Sequence, residues 1–256
     1  MPIDIIEFDT AMDSKGFVLL EELCAKDVLE QLQKVCQVRS KILHETLGDK
    51  TIGIGSVNGY DEIVQRSKGR WDIPISPAEF GFDVKAFPWW PLVVRLLGND
   101  AEHSFSGVVF SDPGSPAQEW HIDSPHVSAE HLPAHAVNVF VALEDISIEM
   151  GPTEFAVGSH WHTNHLSNPE LVVDNLLYQN SGISPEILDT PKGTLERYSS
   201  TFSAGNCVIF DDRMLHRGLA NASDRTRYVV YFSYREKGYR ENTHFEAERS
   251  LFDSSN

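Results

Sequence analysis

From His103 to Tyr234 the chain reads as short apolar stretches cut apart by glycine- and proline-containing turns, and this pattern restricts the fold more than any other feature. His103–Ser111 is followed by the turn Asp112-Pro113-Gly114-Ser115-Pro116, then Gln118–Asp123. In Ala136–Leu143, Asn138, Phe140 and Ala142 alternate with Val137, Val139, Val141 and Leu143. Gly151-Pro152 precedes Thr153–Val157, Ser203–Asn206 precedes Cys207–Phe210, and Asn221–Asp224 precedes Arg227–Tyr234. Many short strands after an early helical part predict a mainly β fold with flanking helices, a sheet sandwich or jelly roll. At 256 residues the chain is long enough for one sizeable core, and all-β domains of this length stay undivided. We expect one domain over 1–256, with a helical N-terminal part over about 1–100. The polar stretch from His160 to Tyr198 exceeds what a hairpin needs and reads as a lid insertion, about 160–198.

Within the N-terminal part, Gly16–Leu20 reads as a short strand. Val28, Leu29, Leu32, Val35, Cys36, Ile42, Leu43 and Leu47 recur at helical spacing, which predicts an amphipathic helix over about Ala25–Leu47 that ends before Gly48. Thr51–Phe87 mixes glycine, proline and aromatics without a period and reads as loops covering a site or barrel end. Its basic cluster, Arg66, Lys68 and Arg70, is expected to be solvated loop. Pro91–Leu97 suits a short helix closed by Gly98, and Trp89 and Trp90 read as packing residues.

The balance of 21 basic against 38 acidic residues gives a net charge of −17, which repels polyanions at long range and disfavours nucleic acid or an anionic membrane as partner. Cys24, Cys36 and Cys207 are widely spaced with no CxxC pair, as in a reducing compartment. With no basic leader, no apolar run of membrane length and no Ser-Lys-Leu ending, the expected location is cytoplasmic.

Chemistry concentrates in Gln118-Glu119-Trp120-His121-Ile122-Asp123. Alternate strand residues share a face, so His121 and Asp123 can grip one ion from one side. His216, after the strand Cys207–Phe210, is the candidate third ligand. Two imidazoles and one carboxylate on one face of a metal describe a non-haem Fe(II) site that activates O2. Arg227 can hold a dicarboxylate co-substrate as a fork, on a strand expected to neighbour that of His216. Arg225 is its rival, nearer the turn. His126, His131, His135, His160, His162 and His165 are expected in loops, with His126 and those after Ser159 as candidates for the substrate mouth.

These blocks, joined to Gly16-Phe17-Val18, to the run Gly151–His160 and to His216-Arg217-Gly218, resemble the phytanoyl-CoA dioxygenase-like Fe(II)/2-oxoglutarate oxygenases over most of the chain. One departure is Ala156-Val157-Gly158, where the family more often carries proline before Gly-Ser-His. The resemblance implies a double-stranded β-helix, cupin-like, with its core over about 101–235. It also implies iron on His121, Asp123 and His216, and 2-oxoglutarate held by Arg227 with contacts from Thr153 and Gln118. Strand phase, however, puts Gln118 with Trp120 and Ile122, opposite His121. The implied reaction consumes O2 and 2-oxoglutarate, releases succinate and CO2 and oxidises a small organic molecule, most often by hydroxylation, with ascorbate as a stimulant. Asp123 occupies the position that related halogenases leave to chloride, which disfavours halogenation. The alternatives are a cupin-like metal enzyme that does not use 2-oxoglutarate and a non-catalytic ligand-binding relative.

Overall fold

The computed structural model describes residues 4–171, 176–177, 188–190, 193–240 and 245–253. Helix α1 (Ile5–Lys15) starts on Asp4, whose carboxylate accepts from the backbone N–H groups of Ile6 and Glu7, and buries Phe8 and Met12. It ends on Gly16 at φ +81°, where a Cβ would run into Met214 Sδ and His160 Nδ1. The chain then enters β1 (Phe17–Leu20) and α2 (Lys26–Leu47). Helix α2 buries Leu32, Cys36, Leu43 and Leu47 along one stripe, as the apolar spacing predicts.

The stretch expected as loops contains β2 (Val64–Ser67), β3 (Arg70–Pro74) and the short helix α3 (Pro77–Phe80). Arg70 is fully buried and Arg66 is paired to Asp72, so the basic cluster is not a solvated loop. The strand carries no apolar-in, polar-out signature because the inward positions of β3, Arg70 and Asp72, are charged, whereas Trp71 and Ile73 pack on the helical layer. Helix α4 (Trp90–Leu97) follows, then β4 (Glu102–Ser111), β5 (Ala136–Ala142), β6 (Thr153–Ala156), the pair β7 (Asp189–Thr190) and β8 (Gly193–Thr194), β9 (Arg197–Ser199), β10 (Cys207–Asp211), β11 (His216–Gly218) and β12 (Arg227–Arg235). The lid expected over about 160–198 lies in part outside the described residues, as do Ser254, Ser255 and Asn256 at the C-terminus.

Two antiparallel sheets carry the fold, which is a mainly β jelly roll: seven strands in the order β1-β10-β5-β12-β4-β3-β2, and three in the order β11-β6-β9. The two faces of the larger sheet are sorted residue by residue. Val137, Val139, Val141, Ile209, Val230 and Phe232 join Leu32, Cys36, Leu92 and Val93 in the core under the helices. Ala142, Val208, Phe210 and Val229 point the other way, into a second core with Phe17, Phe155 and Met214. The inner face thus meets the small sheet, and its polar members (Asn138, Tyr231 and Ser233) line a cavity there. Trp89 is buried, stacks on Phe87 at 4.6 Å and donates its indole N–H to Tyr234 Oη at 2.8 Å, which makes it a packing residue. Among the described residues no helix is long and apolar enough to cross a membrane.

Candidate metal centre

His121 and Asp123 come from the connection between β4 and β5, and His216 opens β11. Gln118–Asp123 is not a strand: its one ladder contact is the His121–His216 bridge, closed by His121 N–H to His216 O at 3.1 Å and His216 N–H to His121 O at 2.9 Å. Direct backbone bonding across that bridge brings the two rings to 4.3 Å. One ligand atom from each of His121, Asp123 and His216 lies within 4.8 Å of the others, the one such cluster among the described residues.

Hydrogen bonds orient each of the three side chains. His121 Nδ1 lies 2.9 Å from Glu119 O and His216 Nδ1 lies 3.1 Å from Met214 O. A carbonyl can only accept, so Nδ1 carries the proton in both rings and Nε2 keeps its lone pair for a metal. Burial, and then His216, push the His121 pKa down to about 3, so the ring stays neutral as a ligand must. Asp123 Oδ2 stands 3.6 Å from His216 Nε2 and accepts from Asn138 Nδ2 at 2.7 Å. Asn138 is itself fixed by Ser233 Oγ, which donates to its Oδ1. The donor set of two imidazoles and a carboxylate, with outer partners in place, fits a divalent first-row ion.

The cavity holding these groups has a volume of about 1060 Å³ including its solvent-open mouth. Arg227, Thr153 and Gln118 also line it. Arg227 does not neighbour His216 in a sheet, contrary to expectation: β11 pairs with β6 in the small sheet and β12 with β4 and β5 in the large one. The two residues face each other across the sandwich, so the β11–β12 connection is a crossing between sheets and not a hairpin. Arg227 is buried, with its guanidinium donating to Gly151 O and to Ser111 Oγ at 3.3 Å. Burial pushes its pKa down to about 10, so it remains a cation. Arg225 sits in the preceding turn, largely exposed and paired with Glu144.

Gln118 shares the cavity with His121, against the phase expectation. With no regular strand over 118–123, alternation does not apply, and Gln118 Oε1 is drawn inward by Arg70 Nη1 at 2.6 Å and Gly218 N–H at 2.9 Å. Trp120 and Ile122 do turn away, into a separate apolar cluster.

Three further polar groups escaped the sequence reading. Asp72 accepts from Arg66 Nη2 at 2.7 Å and from Tyr231 Oη at 2.8 Å, and all three line the cavity. The missed signal was the period-2 run Arg70-Trp71-Asp72-Ile73, an alternation with charge on one face. None of the remaining candidate mouth histidines lines the cavity. His126, His135 and His160 are instead buried around the Asp211–Arg213 ion pair of 2.6 Å, where burial holds their pKa values at about 3, 4 and 4.

Residues 12–229 match the family model described as phytanoyl-CoA dioxygenase. A curated relative, dioxygenase hkm4 of Aspergillus hancockii, is 29% identical over 134 residues, which are 50% of this chain and 36% of that protein. The chain therefore matches little more than a third of that relative's length. Among solved structures, the non-heme alpha-ketoglutarate-dependent carbocyclase SnoK from nogalamycin biosynthesis is 18% identical, covers 92% of this chain and 85% of its own, and has a TM-score of 0.63. The epimerase SnoN, in complex with Fe3+, alpha-ketoglutarate and nogalamycin RO, is 16% identical with a TM-score of 0.62, over 93% and 86%. AviO1 from Streptomyces viridochromogenes Tue57 is 14% identical with a TM-score of 0.61, over 95% and 100%. At these identities the likeness to the solved structures is one of fold.

Proposed function

Because the chain belongs to the phytanoyl-CoA dioxygenase family, we propose that it acts as one Fe(II)- and 2-oxoglutarate-dependent oxygenase domain that oxidises a small organic metabolite, with hydroxylation as the principal outcome. The observation that carries this reading is the convergence of one ring nitrogen each from His121 and His216 with an Asp123 oxygen in a cavity that also holds the buried cation Arg227. The metal with its co-substrate supplies O2 activation coupled to decarboxylation of 2-oxoglutarate to succinate and CO2.

The protein's own groups supply position and charge. His121 and His216 present Nε2 because backbone carbonyls hold Nδ1–H. Asn138 keeps one oxygen of Asp123 in a fixed direction. Arg227 would fork a far carboxylate, a role supported by its burial and by its sharing the cavity lining with Thr153 and Gln118. Phe105, Phe140 and Val229 give the same volume an apolar part of its lining. The structural neighbours named as a carbocyclase and an epimerase mark cyclisation and epimerisation as outcomes that a different substrate would draw from the same site.

The test is succinate release from 2-oxoglutarate with Fe(II), O2 and ascorbate, over a panel of candidate metabolites. We expect slow release without a substrate, stimulation by the right one, and none from Asp123→Ala. An iron-loaded, folded protein that oxidises a metabolite without consuming 2-oxoglutarate would show the cupin-like alternative to be correct.

A further inference from the structure

Arg70 is one of the largest fully buried side chains in the protein. Its guanidinium donates to Gln118 Oε1 at 2.6 Å, Leu219 O at 2.7 Å and Pro116 O at 3.3 Å, all neutral acceptors. Among the described residues it has no carboxylate partner, and neither does Arg227. The two arginines stand in one register row of the large sheet: Arg70 pairs with Ser111 across β3 and β4, and Arg227 pairs with the same Ser111 across β12 and β4. Two interstrand steps separate them, roughly 10 Å between backbones. Burial, and then Arg227, lower the Arg70 pKa, as expected for two like charges sharing a low-dielectric interior. Two uncompensated buried cations destabilise a fold unless a counter-charge arrives.

Gly218 shows that the chain makes room for this group. A Cβ there would fall on Arg70 Nη1 and 2.7 Å from Gln118 Oε1. The missing side chain two residues beyond His216 leaves the space that the guanidinium fills.

We propose that Arg70 is a positioning residue for the co-substrate: it fixes the Gln118 amide by binding its Oε1 and, with Arg227, forms a doubly cationic row that selects a dianionic 2-oxo acid over a monoanionic one. This rests on the 2-oxoglutarate reading above. Arg227 lines the cavity, and Arg70 acts one layer behind it, through Gln118 and through its charge. Binding of the dianion supplies the negative charge that the row lacks.

The experiment is calorimetric titration of the Mn(II)-loaded, full-length protein with 2-oxoglutarate and with 2-oxopentanoate, which keeps the 2-oxo acid and replaces the far carboxylate by methyl. The variants are Arg70→Gln, which removes the charge but keeps a donor, Arg70→Lys, which keeps the charge, and Gly218→Ala, which displaces the guanidinium. We expect Arg70→Gln and Gly218→Ala to lose about tenfold of the preference for 2-oxoglutarate with Mn(II) affinity unchanged, and Arg70→Lys to stay within roughly threefold of the parent. A preference retained by Arg70→Gln overturns the proposal. So does loss of Mn(II) binding and of folding by Lys and Gln variants alike, which marks Arg70 as a structural strut only. If the parent protein binds Mn(II) but not 2-oxoglutarate, the oxygenase reading itself has failed, which is a distinct outcome.

Discussion

At the scale of residues, the site depends on hydrogen bonds one layer behind the proposed ligands. Asn138 donates to Asp123 and is held by Ser233, so Asn138→Ala frees the carboxylate to rotate. Metal affinity should fall about 10–100-fold, measured by Mn(II) titration, with the fold unchanged by circular dichroism. Arg227→Ala should raise the 2-oxoglutarate requirement strongly, since the buried fork has no substitute, whereas Arg225→Ala removes an exposed pair with Glu144 worth about 1 kcal/mol or less. A larger effect of Arg225→Ala than of Arg227→Ala would reverse the assignment. The residue types of this centre were legible in the sequence because two histidines, a carboxylate and a distant arginine are an unusual combination. Gln118 departs from strand phase because its segment has one bridge and no ladder, and Arg70 departs from the solvated-loop default because a buried arginine without a carboxylate partner is rare.

At the scale of elements, strands that pack on the helical core through one face announced themselves, as β5, β10 and β12 did. Strand β3 did not, since its inner face carries the cavity's charges; local rules fail first where function is built. The turn after β10 and the segment around Ser159 show another element-level property. Thr163 Oγ1 donates to Arg213 O and meets His126 Nε2 at 3.1 Å, and His160 Nε2 lies 3.1 Å from Asp13 O. Both rings therefore carry the proton on Nε2, and Nδ1 is buried without a partner. Protonating it would leave an N–H with no acceptor, beside Arg213 in the case of His126. The folded pKa values, about 3 and 4, lie below the unfolded value of about 6.5. Between these limits the unfolded chain binds more protons, so stability is full above pH 6.5 and is lost as the pH falls toward 4, by up to about 1.4 kcal/mol per pH unit for each histidine. Thermal melts should drop steadily from pH 7 to pH 5, and His160→Gln, which keeps a donor for Asp13, should flatten that slope. A pH-independent melting temperature in the parent protein would contradict it.

At the scale of the whole molecule, the proposed ligands bind two layers together. His216 belongs to the small sheet, while Asp123 is braced by Asn138 and Ser233 of the large one. This opposition of sheets was not legible in the sequence, where the short connection between His216 and Arg227 suggested a hairpin; only three-dimensional closure distinguishes a hairpin from a crossing. A metal bound only by the folded state should therefore stabilise the sandwich, by about 2.7 kcal/mol at a free concentration a hundredfold above Kd. For a chain of this size that is roughly 5–10 °C in melting temperature, reversed by a chelator and absent in His216→Ala. The most direct test of the central claim is anaerobic titration of the Fe(II)-loaded protein with 2-oxoglutarate, followed by calorimetry. The account predicts one 2-oxoglutarate per chain, bound only when metal is present and lost in both His216→Ala and Arg227→Ala. Binding that persists without metal, or is indifferent to Arg227, would contradict it.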